Sequence, residues 1–274
     1  MPHIELLASL AAALLAAGLF AGLLAGLLGV GGGIIMVPVL YYVFGLLGVD
    51  ESVRMHMSVG TSLAAMIPTS IRSALAHRKK GAVDEAMFRR WLAGIALGVL
   101  FGVLTAASVK GPVLMTVFAV FALAVAFYMA FGKDSWRVAS ELPGRAGQTV
   151  MAVLIAGVSV MMGIGGGTFT VPTLTLFGYP IHRAVGTAAA IGVLIAVPGA
   201  VGFILGGLGE PDRPWGSLGF ANVVGVVALI PTTLLAAPWG VALAHKLERR
   251  WLRLAFALFL AATGIKMALS LIGI

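Results

Sequence analysis

The chain contains no cysteine, which excludes disulfides, thiolate metal sites, iron–sulfur clusters and thiol nucleophiles. It is also poor in charge, with 10% of its 274 residues Asp, Glu, Lys or Arg against about 25% in ordinary soluble domains. No pair of Asp or Glu lies inside an apolar run. A carboxylate proton relay and a cation site both need one, so both are disfavoured. H-E-x-x-H is missing, and no Walker lysine follows the Gly-rich segments. No catalytic group, metal or cofactor is therefore expected.

What the chain has in abundance is apolar sequence: 60% of its residues are hydrophobic, well above the roughly 45–50% of a soluble domain. The composition predicts an all-α polytopic membrane protein in contact with lipid. Runs of about 20 residues, enough to cross ~30 Å of hydrocarbon, occur at 4–28, 55–76, 86–108, 113–132, 184–206, 217–244 and 251–273. The first lacks the basic flank of a secretory signal and is expected to stay as a helix. Three shorter apolar pieces, 34–47, 148–162 and 168–178, each abut a Gly-rich motif. The net charge of +8 does not call for nucleic acid, because the basic residues gather in short gaps between the apolar runs and so read as a topology signal.

The Gly-rich motif is repeated. Gly29-Val-Gly-Gly-Gly33 leads into Ile34-Ile-Met-Val-Pro38, and Gly163-Ile-Gly-Gly-Gly167 into Thr168-Phe-Thr-Val-Pro172. An offset of 134 relates the two copies, an offset of 126 relates Val59-Gly60-Thr61 to Val185-Gly186-Thr187, and an offset of 138 relates Phe118 and Phe121 to Phe256 and Phe259. The halves implied are residues 1–135 and 148–274, joined by a cytoplasmic linker at 136–147. Placing the basic loops around Arg78-Lys79-Lys80, Arg137 and Arg145, and Lys246 to Arg253 on the cytoplasmic side requires an odd net number of crossings per half. The halves are then inverted-topology repeats, each a Gly-broken or re-entrant hairpin plus three transmembrane helices, with both termini outside. The sequence leaves open whether the short segments cross fully or turn back.

Within a bilayer, backbone leaves the helical ladder only where protein or a polar cavity satisfies it. Two such breaks imply an enclosed, wettable centre. Consecutive glycines can aim several N–H groups at one point, and the helices that follow add their positive ends. The candidate substrate-binding residues are therefore Gly31, Gly32 and Gly33, with Gly165, Gly166 and Gly167. The hydroxyls of Thr61, Ser62 and Thr187 join them, and Arg72 is placed to guide an anion at the inner mouth. The competing reading is close helix packing for the glycines, back-bonding for the hydroxyls and snorkelling for Arg72 and Lys266. His56 and His182 match at an offset of 126 and read as interfacial histidines.

Paired G-x-G-G-G-x-x-x-V-P segments, each followed by a V-G-T helix, with a basic His77-Arg-Lys-Lys-Gly-Ala-Val-Asp84 loop, resemble the TauE/SafE sulfite exporter family over essentially the whole chain. The resemblance implies a permease of the bacterial cytoplasmic membrane for small sulfur-containing anions such as sulfite, sulfoacetate or thiosulfate. Family members differ in cargo and direction, so the resemblance fixes neither, and it leaves a homodimer open. The second copy has Ala188 where the first has Ser62. Two alternatives stand beside a carrier: a passive anion channel, and an intramembrane enzyme or maturation factor.

Overall fold

The computed structural model describes residues 12–23, 32–132, 136–244 and 249–272. The described residues form ten helices: α1 (Ala12–Leu23), α2 (Gly33–Leu46), α3 (Glu51–Lys79), α4 (Glu85–Ser108), α5 (Gly111–Phe131), α6 (Arg145–Met161), α7 (Gly167–Leu176), α8 (Ile181–Gly206), α9 (Val223–Ala244) and α10 (Arg249–Leu271). Five of them, α4, α5, α8, α9 and α10, contain stretches long and apolar enough to cross a membrane. The expectation of an all-helical chain needs one amendment. A two-residue antiparallel ladder, β1 (Ser217–Leu218) with β2 (Ala221–Asn222), precedes α9, so that helix starts at Val223 rather than within a run from 217.

The central helix is α3. At 29 residues it is long enough to span, yet it carries His56, Ser58, Thr61, Ser62, Thr69 and Ser70, a load of polar groups a lipid-facing helix would not tolerate. Burial explains it: Met55, Met57, Val59, Leu63 and Met66 are all at most 1% exposed, so protein rather than lipid surrounds this stretch. Asp50 starts the helix by accepting a hydrogen bond from the Ser52 N–H at 2.8 Å, and Gly81, at φ 64°, turns the chain beyond its end.

α3 crosses α8 antiparallel: the His56 ring lies 6.5 Å from that of Phe203, Leu63 packs at Gly199, and Ser70 packs at Gly192. α4 lies on α6 through a stripe of small residues. A Cβ at Gly94 would meet Ala152 at 2.8 Å, one at Gly98 the Val153 carbonyl at 2.3 Å, and one at Gly102 Val160 at 2.4 Å. This four-residue spacing lets two membrane helices approach backbone to backbone. α5 and α10 are tied at one end by Arg253, whose Nη2 donates to the Gly132 carbonyl at 2.5 Å.

The second short segment turns back. α6 leaves the linker at Arg145, and α7 returns to it, with the Val138 N–H bonded to the Leu176 carbonyl at 2.8 Å and Gly178 against Ser140. Ten residues of helix cover about 15 Å, half the hydrocarbon thickness, so α6 and α7 form a hairpin with both ends on one side.

Candidate functional site

The α6–α7 hairpin turns at the second Gly-rich motif. α6 ends when Gly163 adopts φ 66° and the Ile164 N–H reaches back to the Ser159 carbonyl at 2.9 Å, a glycine-terminated helix cap. Glycine is needed on two counts, since a Cβ there would also lie 2.8 Å from Val37 and 2.9 Å from the Val59 backbone. The first motif touches the second at this point. A Cβ on Gly33 would fall 2.7 Å from the Gly163 carbonyl and 2.9 Å from Ile164. Gly32 caps α2 at φ 73° whereas its counterpart Gly166 is right-handed at φ −60°, so the copies differ in backbone. Gly31 lies outside the described residues.

Beside the second motif is a cavity of about 280 Å³ bordered by Gly165, Gly166 and Gly167. The first turn of α7, whose N–H groups have no partner within the helix, therefore adjoins open space and turns the positive end of the helix toward it. Opposite stands one stripe of α3, Met66, Thr69, Ser70, Ser73 and His77, while α8 contributes Val185, Ala188, Ala189 and Gly192. Its volume falls below the roughly 300–1,000 Å³ of drug-sized sites and suits a small ion with a few waters. No Asp or Glu is among the described residues that line it.

The hydroxyls at the cavity differ in what they have left to give. Thr69 bonds the Met66 carbonyl at 2.8 Å and Thr233 that of Leu229 at 2.7 Å, both spending their proton on their own helix. Ser70 and Ser73 make no hydrogen bond among the described residues. Thr69 and Ser70 have no duplicate in the second half, so the repeat alone ranks them below Thr61, Ser62 and Thr187; the signal for the stripe is the spacing 66, 69, 70, 73, 77 on one helix face.

Thr61, Ser62 and Thr187 stand elsewhere. Ser62 Oγ donates to the Gly163 carbonyl at 2.8 Å, holding the hairpin turn. Thr61 Oγ1 accepts from the Asn222 N–H at 2.9 Å and Thr187 Oγ1 from the Asp84 N–H at 2.9 Å. These two contacts match in detail. Asp84 and Asn222 are separated by the offset of 138, and each accepts from the N–H three residues on, Met87 and Gly225 respectively. The glycine before each threonine abuts a carbonyl two residues before each cap: a Cβ on Gly60 would sit 2.4 Å from Phe220 O, and one on Gly186 2.4 Å from Ala82 O.

Arg72 is exposed, about 100° around α3 from Ser73 and away from the cavity stripe. Lys266 lies with its Nζ 4.2 Å from the centre of the Tyr42 ring, a cation–π contact. The two histidines matched by sequence part company: His56 is buried with Nε2 3.0 Å from the Ala106 carbonyl, while His182 is exposed. Different packing at the two helix starts, Phe203 and Phe220 closing over His56, accounts for it.

The Thr187 contact is extended by side chains at the loop end of the bundle. The Tyr179 hydroxyl donates to Asp84 Oδ2, and Arg183 Nη1 lies 3.8 Å from the same oxygen. Burial alone would raise the Asp84 pKa, but hydrogen bonds from Tyr179 and the Met87 N–H, with the Arg183 charge, outweigh it and hold the carboxyl below its usual range. Burial, the Asp84 hydrogen bond and the Asp84 charge push Tyr179 up to about 12. The depressed acid contributes stability above about pH 4 and loses it as pH falls through its folded pKa. The raised phenol contributes below about pH 10 and loses it as pH rises toward 12. In detergent, the unfolding midpoint should decline on both flanks, and Tyr179→Phe should shrink the alkaline decline. An identical alkaline decline in the variant would show that this contact adds nothing.

A family model described as Sulfite exporter TauE/SafE matches residues 14–267. A probable membrane transporter protein from Haemophilus influenzae is 35% identical over 243 residues, covering 88% of this chain and 91% of that relative. Another from Methanocaldococcus jannaschii is 25% identical over 250 residues, covering 88% and 89%, and one from Bacillus subtilis is 23% identical over 259 residues, covering 88% and 90%. No solved structure matches the chain.

Proposed function

Because the chain belongs to the TauE/SafE sulfite exporter family, we propose that this membrane transporter carries small sulfur-containing anions, such as sulfite, sulfoacetate or thiosulfate, across the cytoplasmic membrane by alternating access. The observation that carries the reading is the cavity where the first turn of α7 meets the α3 stripe with no carboxylate among the described residues that line it. Backbone N–H groups and a helix end attract an anion without a buried cation that would be costly when empty. Gly165, Gly166 and Gly167 bind the anion, with Ser70 and Ser73 as hydroxyl donors. Gly31, Gly32 and Gly33 belong to the facing motif. Thr61, Ser62 and Thr187 hold the scaffold around them.

The matched contacts of Thr61 with Asn222 and Thr187 with Asp84 support two inverted repeats over 1–135 and 148–274, though α6 already begins at Arg145. With the basic loops inside and both termini outside, the cavity follows α3 from Met66 to His77, about 16 Å toward the cytoplasm. On the other side of the motif Gly60 packs on Phe220 and Gly199 on Val160 and Leu63. A cavity on one side of the motif with packed helices on the other favours a carrier over a channel.

The test is flux of radiolabelled sulfite, thiosulfate, sulfoacetate and sulfate into proteoliposomes holding the purified full chain. Saturable uptake that speeds up when the same anion is preloaded inside is the expected result. Uptake that rises linearly with concentration would establish a channel instead, and no flux of any of the four would overturn the reading.

A further inference from the structure

Building on the transport reading above, we propose that His77 is the proton site of this carrier: its imidazole takes up one proton from solution when the anion enters and releases it when the anion leaves. One anion and one proton then move in the same direction. Among the described residues, His77 is the only ionisable side chain lining the cavity. It stands one turn beyond Ser73 and two beyond Ser70 on the same stripe of α3, at the mouth of the path an anion would follow. Its ring makes no hydrogen bond or ion pair among the described residues, so both nitrogens are available to solvent and cargo.

The chemistry fits the position. Imidazole changes charge near pH 6.5, within the physiological range, and an anion close by favours the charged form. Conversely, an imidazolium offsets the cost of bringing negative charge into an apolar cavity. His77 occupies the last turn of α3, where the carbonyl end of the helix also favours a cation. The charges around it do not take over the role. Burial, and after it the Lys80 charge, hold the His77 pKa below its ordinary value before an anion enters, Arg78 is paired with Glu85 at 3.1 Å, and Arg183 with Asp84 at 3.8 Å. The residues that α1, α2, α7, α8 and α9 contribute to the cavity are all uncharged. Among the described residues the cavity lining thus carries no charge until His77 takes up a proton from the adjoining solution.

The experiment uses proteoliposomes of the full chain and thiosulfate, whose charge is constant over the range tested. Wild-type protein should accumulate thiosulfate when the outside is made acidic, with initial uptake about fivefold or more faster at pH 5.5 than at 7.5. His77→Gln should lose that accumulation, and the thiosulfate–thiosulfate exchange it retains at equal pH should be slower than wild type and no longer vary with pH. His77→Lys, with a permanent charge, should exchange at a rate independent of pH. Accumulation that survives in His77→Gln would overturn the proposal, as would wild-type flux indifferent to the pH gradient, both leaving transport itself standing. Loss of exchange in both variants with unchanged thermal midpoints would assign His77 to cargo binding alone and overturn the proton role. Absence of thiosulfate, sulfite and sulfoacetate flux in the wild type would instead overturn the transport reading.

Discussion

Replacing Gly186 with alanine should lower the thermal unfolding midpoint in detergent by about 2–12 °C, and replacing Gly60 should do the same. In each case the new methyl would lie 2.4 Å from a carbonyl oxygen, Ala82 O or Phe220 O, which belongs to backbone and cannot swing aside. Overpacking of this kind costs about 1–3 kcal/mol, and about 2–4 °C accompanies each kcal/mol in a chain of this size. The loss reaches further than the clash, because the displaced loop also carries the N–H that Thr187 or Thr61 accepts. Gly209→Ala is the control, since a Cβ there meets nothing within 4 Å. A midpoint unchanged in both variants would mean that these two crossings yield freely and do not hold the halves together.

The second large effect is expected at Gly166, where valine should reduce anion flux about 100-fold or more. Its Cβ would fall 2.8 Å from the Gly192 nitrogen and 2.9 Å from the Ala188 carbonyl, forcing the first turn of α7 off α8 at the cavity wall. Gly165→Ala makes the informative contrast. The atom it meets, at 2.6 Å, is the terminal methyl of Met66, a flexible group that can move, so its loss should be far smaller. Ser70→Ala should lie between them. A hydrogen bond to a charged ligand is worth about 1.5–3 kcal/mol, so the half-saturating concentration should rise about tenfold or more with little change in thermal midpoint. Wild-type flux in Gly166→Val, checked as a monodisperse protein, would remove this cavity from the transport path.

Properties settled by neighbouring residues along the chain were legible in the sequence. Five of the seven apolar runs, at 86–108, 113–132, 184–206, 217–244 and 251–273, fall on helices long and apolar enough to cross a membrane. The run at 55–76 instead belongs to the polar-rich α3, buried over most of its first half, and only residues 12–23 of the run at 4–28 are described. The G-x-G-G-G motif marked a helix break because consecutive glycines free the backbone locally, and Gly163 at φ 66° is such a break. The repeat of V-G-T was equally visible, although its use was not: Thr61 and Thr187 bond backbone 161 and 103 residues away, and no local pattern announces those partners. The same distance hid the cavity stripe. Thr69 and Ser70 look alike in sequence, yet one spends its proton on the Met66 carbonyl and the other does not. Which hydroxyl is free, that Gly33 is filled by Met66 and Ile164 while Gly165 borders open space, and that α7 turns back all depend on helices brought together from distant parts of the chain. Local backbone chemistry alone placed the breaks, and tertiary packing decided which of them faces a cavity.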